Sequence, residues 1–446
     1  MADTYDLILQ GGVVVNHDGA AQRDIGVKDG RIAEIGVSAS ASAGEVIDCT
    51  GLHVLPGVID SQVHFREPGA EYKEDLESGA RSAVLGGVTA VFEMPNTKPL
   101  TVTADAIEDK LARAKDRMHC DHAFYVGATH GNPKDLAELE LLPGVSGVKI
   151  FMGASTGDLL VEDDEGVRQV LAHGRRRVAI HSEDEGILRA NKSLAREGDW
   201  TSHPDVRSAE AAITCTNRLI ALARETGRRI HVLHISTADE VEILAQHKDI
   251  VTAEILPQHL TLTAPECYER LKGFAQMNPP IRDAAHQAGL WRGVQQGVFD
   301  VMGSDHAPHS REEKEKPYPA SPSGMPGVQT LVPLMLNFVA EGRLTLERFV
   351  DLTAHGPQRV FGIAGKGRIA QGYDADFTVV DLNATRDITE DWSASKCGWT
   401  PFAGKTVKGW PVGTIIRGRR VMWEDELVGP SLGRPVRFQE TAELKR

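Results

Sequence analysis

A chain of 446 residues with 41% hydrophobic and 25% charged residues has the composition of a soluble globular protein, and no apolar run approaches the roughly 18 residues that span a bilayer. It is too long for one ordinary core, so a large domain of roughly 250 to 310 residues with a smaller unit beside it is expected. A net charge of −14 excludes a nucleic-acid partner, which demands concentrated Lys and Arg, and five dispersed cysteines without a C-x-x-C pair exclude a disulfide framework or a zinc finger. The opening MADTYDLILQGGVVV puts acidic residues before its apolar stretch, the reverse of a secretory leader, which points to cytoplasmic residence.

From residue 5 to 36 the chain reads as short alternating strands, with Asp29-Gly30 as a hairpin turn. Between about 55 and 362, β-rich segments alternate with helical patterns. The eight segments are HVLPGVIDSQVHF (53–65), GVTAVFEM (87–94), HAFYVGAT (122–129), GVKIFM (147–152), RVAIHSE (177–183), RIHVLHIS (229–236), VTAEILPQHL (251–260) and VFDVMGSD (298–305). Eight strand-helix repeats over this length predict an α/β chain with a (β/α)8 TIM-like barrel. Gly-punctuated strands return at 365–382 and 412–429, so a small β-sandwich built from both termini is expected. The predicted division is 1–54 with 365–446 for the sandwich and 55–364 for the barrel.

In such barrels chemistry sits at the C-terminal ends of the strands. Those ends carry His64, Lys149, His181, His234 and Asp305, with Gln62 two residues before His64 and on the same face. Any one of the 17 histidines is more often structural than a ligand. Their joint placement at strand ends singles these out, because imidazoles and a carboxylate from separate strands could hold zinc and leave positions for water. By strand alternation His231 faces the helix layer while His234 points inward. Lys149 is the odd member, since an ammonium repels a cation: either it is neutralised or the site is of another kind. Glu254 is read as support for the ligands and His259 as structural.

The ordered segments PGVIDSQVHFREPG, GVTAVFEMPNT, GVKIFMGASTG, AIHSEDE, HVLHIST, EILPQHL, MNPPIR and GSDHAPHSREEK resemble the motifs of dihydroorotases in the amidohydrolase superfamily, over about residues 5 to 425. The resemblance implies one or two zinc ions per chain, with Lys149 N6-carboxylated and bridging them. His64 and Asp305 would hold the more buried ion, and His181 and His234 the more exposed one. Asp305 would also shuttle a proton during reversible hydrolysis of L-dihydroorotate to N-carbamoyl-L-aspartate in pyrimidine biosynthesis. The chain departs from the family at one place: the usual H-x-H reads Gln62-Val63-His64. Gln62 is then a weak ligand or a neighbour of the ligands, and the site holds one metal or two.

A substrate carboxylate calls for an arginine, and Arg66 in HFREPG is one. Read alone, its bland alternative is a surface ion pair with Glu67 or a nearby carboxylate. The resemblance assigns it to the substrate carboxylate with Asn96 of MPNT and His309 of DHAPH, and Asn278 of MNPPIR to the ring. Charged and proline-rich, REEKEKPYPASPSG reads as a loop over the substrate. Two alternatives stay open: a sister cyclic-amide hydrolase (hydantoinase, dihydropyrimidinase or allantoinase), and a non-catalytic relative that lost its first histidine. Expected partners are a small-molecule substrate and further copies of the chain, as a dimer or tetramer, with neither nucleic acid nor membrane.

Overall fold

A computed structural model of the chain describes residues 4–154 and 159–441. The 155–157 end of the GVKIFMGASTG segment lies outside the described residues. Eight parallel strands follow one another around a single sheet: β1 (Val58–Val63), β2 (Val88–Glu93), β3 (Asp121–Gly127), β4 (Val145–Phe151), β5 (Val178–His181), β6 (Ile230–Val232), β7 (Val251–Ile255) and β8 (Val301–Met302). A parallel bridge between Val63 and His306, with the His64 amide donating to the His306 carbonyl at 2.7 Å, closes the sheet into a barrel. The expected (β/α)8 architecture is therefore present.

The strands are apolar on both faces because both faces are covered. Ile59, Phe92, Tyr125, Ala179 and Val301 fill the barrel with Phe361, Val436 and Phe438 from beyond it, whereas Val91, Val126, Val148 and Ile180 belong to the layer packed on the helices. The final segment enters at the N-terminal end of β3, where the Val436 amide donates to the His122 carbonyl at 2.8 Å.

Two boundaries differ from expectation. His53–Pro56 is not the start of the first barrel strand but lies in a separate sheet, and the chain crosses to the barrel at Gly57, where a Cβ would come within 2.3 Å of Thr89 Oγ1. The seventh strand ends at Ile255, because Pro257 starts a helix through Thr261, a first-turn position that suits its fixed φ and missing N–H. His259 therefore rides on a helix.

The termini meet in the separate sheet. It contains Val13–Asn16, Gly19–Gln22 and His53–Pro56 from the N-terminal part, with Phe377–Asp387, Thr406–Ile416, Arg419–Trp423 and Glu426–Leu427 from the C-terminal part. A second sheet of four strands, all N-terminal, packs on it through Leu7, Leu9, Val27, Val54, Phe377 and Ile415. Its hairpin turns at Asp29 (φ 51°) and Gly30 (φ 74°), with Lys28 opposite Arg31, the two left-handed residues that a tight two-residue turn requires. No described helix is long and apolar enough to cross a membrane.

The sandwich and barrel are tied by buried charge. Asp121, opening β3, accepts Arg417 Nη1 on both oxygens at 2.7 Å and Lys366 Nζ at 2.6 Å, and Lys366 also meets Asp374 at 3.2 Å.

Candidate active site

At the C-terminal ends of the barrel strands a cleft of about 350 Å³ is walled by Gln62, His64, Arg66, Asn96, His181, His234, Asn278 and Asp305. Residues from six separate chain segments thus converge. Three of them, Arg66 (φ 65°), His234 (φ 38°) and Asp305 (φ 44°), have left-handed backbones, a strained state for residues other than glycine that clusters at functional sites.

That strain corrects the reading of His231. In register with Ala179, it faces the barrel interior, not the helices, and sits 5.4 Å from the Phe361 ring with Nδ1 at 2.8 Å from Thr252 Oγ1. The left-handed turn at His234 breaks the alternation, which is how two residues three apart both turn inward.

The nitrogen and oxygen donors fall into two pairs. His64 Nε2 lies 3.2 Å from Asp305 Oδ1, and His181 Nδ1 lies 3.0 Å from His234 Nε2. His64 Nδ1 is 2.8 Å from Asn96 Oδ1, so Nδ1 carries the proton and Nε2 presents its lone pair to the cleft. Asn96 therefore orients a candidate ligand as well as facing the cleft. Burial holds the His64, His181 and His234 imidazoles below the usual histidine range, far below for His234, so all three are neutral donors at pH 7.

Lys149, fully buried in β4, has no hydrogen-bond partner for Nζ, and burial pulls its pKa down to about 7. Its charge helps to lower the pKa of His64, His181 and His234, and the Asp305 carboxylate partly opposes the effect of burial on its own. Gln62 donates Nε2 to Asp305 Oδ1 at 3.0 Å, leaving its buried Oε1 without a partner, as is His234 Nδ1.

The donor set fits a metal. Neutral imidazoles, one carboxylate and three unpartnered buried polar atoms surround one cleft, and such atoms are costly unless something binds them. Among the described residues the one triad of close metal-type atoms is elsewhere, at His130, Glu162 and Asp163, which are largely exposed.

Arg66 is buried and forms no ion pair among the described residues. Its Nε donates to the Pro308 carbonyl at 3.1 Å and its Nη2 lies 3.2 Å from His309 Nε2. Glu67 turns away and pairs with Arg117 at 2.8 Å, so the Arg66–Glu67 ion pair does not form. His309 does not wall the cleft; it stands behind Arg66, with Lys73 Nζ at 3.0 Å from its Nδ1. Burial, then the Arg66 charge, drives its pKa far down, so it is neutral between two cations. Asn278 walls the cleft and has His203 Nε2 at 3.1 Å from its Oδ1. Of the loop after the eighth strand, Ser323 and Gly324 reach the cleft, and Lys314 pins it by donating to the carbonyls of Gln276, Pro322 and Gly324 at 3.0, 2.7 and 2.7 Å.

Glu254 supports the site: Oε1 accepts the His234 amide at 3.2 Å and Oε2 the Ser61 hydroxyl at 3.3 Å. His259 is structural, 3.2 Å from the Pro279 carbonyl. Two residues were missed. Glu183 lies 2.8 Å from His181 Nε2, which directs the His181 Nδ1 lone pair to the cleft, and Arg207 grips Glu183 on both oxygens at 3.1 Å. The signal for Glu183 was its place two residues after His181; Arg207 had none.

The family model described as the Amidohydrolase family matches residues 53–421. A protein of Halobacterium salinarum named dihydroorotase is 37% identical over 433 residues, covering 93% of this chain and 99% of its own. One from Methanosarcina acetivorans with the same name is 35% identical over 427 residues, covering 92% and 90%. Among solved structures, L-hydantoinase (dihydropyrimidinase) from Arthrobacter aurescens superposes with a TM-score of 0.92 at 31% identity, covering 97% of this chain and 99% of that one.

Proposed function

Because the chain belongs to the amidohydrolase family, we propose that it catalyses the dihydroorotase reaction, the reversible hydrolysis of L-dihydroorotate to N-carbamoyl-L-aspartate. The observation that carries this reading is Arg66, a buried cation with no carboxylate partner among the described residues, opening into the same cleft as the two donor pairs. Its vacant charge matches a cyclic amide that bears a carboxylate beside the ring.

His64 with Asp305, and His181 with His234, hold the metal, which we take to be zinc. Lys149 would join them once its neutral amine adds to carbon dioxide, an N–C bond forming as one amine proton leaves to water, so that the carbamate oxygens would supply the anionic ligand. A metal held by these residues would supply Lewis-acid polarisation of the ring carbonyl and a water acidified toward neutrality. Asp305 accepts the proton of the attacking water on a carboxylate oxygen and delivers it to the leaving ring nitrogen. Gln62 steadies Asp305 through the bond it donates, in place of a ligating imidazole. Arg66 binds the substrate carboxylate with Asn96, His309 keeps the guanidinium in place from behind, and Asn278 faces the ring. The loop at 311–324 covers the bound substrate. Cytoplasmic residence, assembly into a dimer or tetramer, and a C-terminal boundary between barrel and sandwich at 364/365 complete the proposal, the N-terminal boundary moving from 54/55 to Gly57.

The test pairs L-dihydroorotate with dihydrouracil, which lacks the carboxylate, on the wild type and on Arg66→Met. The wild type should strongly prefer L-dihydroorotate. Losing a charge-assisted contact worth about 1.5–3 kcal/mol should lower its kcat/KM on that substrate by roughly 10- to 150-fold and leave dihydrouracil unaffected. Equal loss on both substrates would remove Arg66 from carboxylate recognition.

A further inference from the structure

The opposite face of the barrel carries a feature that the proposed reaction does not use. Where β5 and β6 begin, a pocket of about 270 Å³ is lined by Arg175, Arg176, Arg177, Arg229 and Arg359, with Glu440 the one carboxylate. All but Arg359 come from the N-terminal ends of neighbouring strands, far from the cleft at their C-terminal ends.

These charges are poorly compensated. Arg175 meets Glu440 at 3.5 Å and Arg359 meets Asp300 at 3.2 Å, but Arg176, Arg177 and Arg229 form no ion pair among the described residues. The nearby Glu140 is engaged, accepting Arg228 Nη2 at 2.8 Å and the amides of Arg175 and Arg176 at 2.5 and 3.0 Å. Arg176 is only 7% exposed; its Nη1 donates to the Val145 carbonyl at 2.6 Å, while its Nη2 is buried without a partner. Burial, then the Arg229 charge, pushes the Arg177 guanidinium down to about 10. Five like charges gathered in a chain of net charge −14 repel one another, and an unsatisfied buried guanidinium N–H is costly. A general stabilising role for this face calls for neither.

We propose that this pocket binds a small polyphosphate anion. Guanidinium forks match phosphate oxygens in pairs, and several forks in one concavity suit adjoining phosphates. The shared chemistry is a polyphosphate, either free or attached to a nucleoside.

Isothermal titration of the whole metal-loaded protein with inorganic pyrophosphate, and separately with ATP at matched ionic strength, tests this. The expected result is saturable one-to-one binding, weakened at least tenfold in Arg229→Glu and in Arg175→Glu. Both side chains are exposed, so these variants should fold. Arg419→Glu, the same charge change on the sandwich, should bind like the wild type. Tighter binding of ATP would identify a nucleotide as the occupant, and equal or weaker binding a free polyphosphate. Absence of saturable binding, or equal binding by the wild type and both pocket variants as metal chelation in the cleft would give, would overturn the proposal.

Discussion

At the scale of single residues, the site depends on departures from regular backbone. Strand ends were readable from hydrophobic runs, so His64, Lys149, His181, His234 and Asp305 could be picked out, and the cleft gathers four of them on its wall while Lys149 is fully buried. The direction of a side chain beyond a strand end was not readable, because it depends on a positive φ that residue type does not announce. His231 shows the cost: alternation is sound within β6 and fails at His234. Arg207 was invisible for another reason, since its function lies in gripping a carboxylate 24 positions away in sequence. Lys149 gives the sharpest prediction at this scale. If it completes both donor pairs, Lys149→Met should abolish turnover and reduce the metal retained per chain to less than half the wild-type value, measured by elemental analysis after gel filtration. Unchanged metal content would remove Lys149 from the ligand set.

At the scale of elements, local signals placed the segments well and their ends poorly. Apolar continuity joined residues 53–65 into one strand, yet Gly57 divides them between two sheets, because a glycine crossing looks like any other glycine until Thr89 is packed against it. The helix after β6 (Ala238–Ala245) illustrates what a cap contributes near the site. Thr237 Oγ1 accepts the Glu240 amide at 3.0 Å, and the Thr237 amide returns a bond to Glu240 Oε2 at 3.2 Å. Thr237→Ala should cost about 1 kcal/mol of unfolding free energy by denaturant titration. An unchanged midpoint would mean that packing alone holds this helix.

At the scale of the whole molecule, repeat counting gave the barrel and the matching textures of the two ends gave the sandwich. The charge tie between them was not legible: Asp121 lies hundreds of positions from both Lys366 and Arg417, and the three share no pattern. Burial alone would raise the Asp121 pKa, but Lys366 and Arg417 outweigh it and hold the carboxyl below its ordinary value of 3.8. A carboxyl with a depressed folded pKa stabilises fully above its unfolded value, and that contribution is lost as pH falls through the folded one. Asp121→Asn should therefore destabilise the protein at pH 7, where Arg417 loses its carboxylate and Lys366 keeps only Asp374 and Asp376, and the gap to the wild type should narrow below pH 3.8. A gap independent of pH would show that shape, not charge, matters there.

The central claim is that this barrel opens and closes the ring of a carboxylate-bearing cyclic amide. The most direct measurement follows ultraviolet absorbance of L-dihydroorotate, hydantoin, dihydrouracil and allantoin with the purified, zinc-supplemented protein. Turnover of L-dihydroorotate alone is the predicted result and would show that Gln62 serves where a histidine is usual. Preferential turnover of one of the other three rings, or of none, would contradict the account.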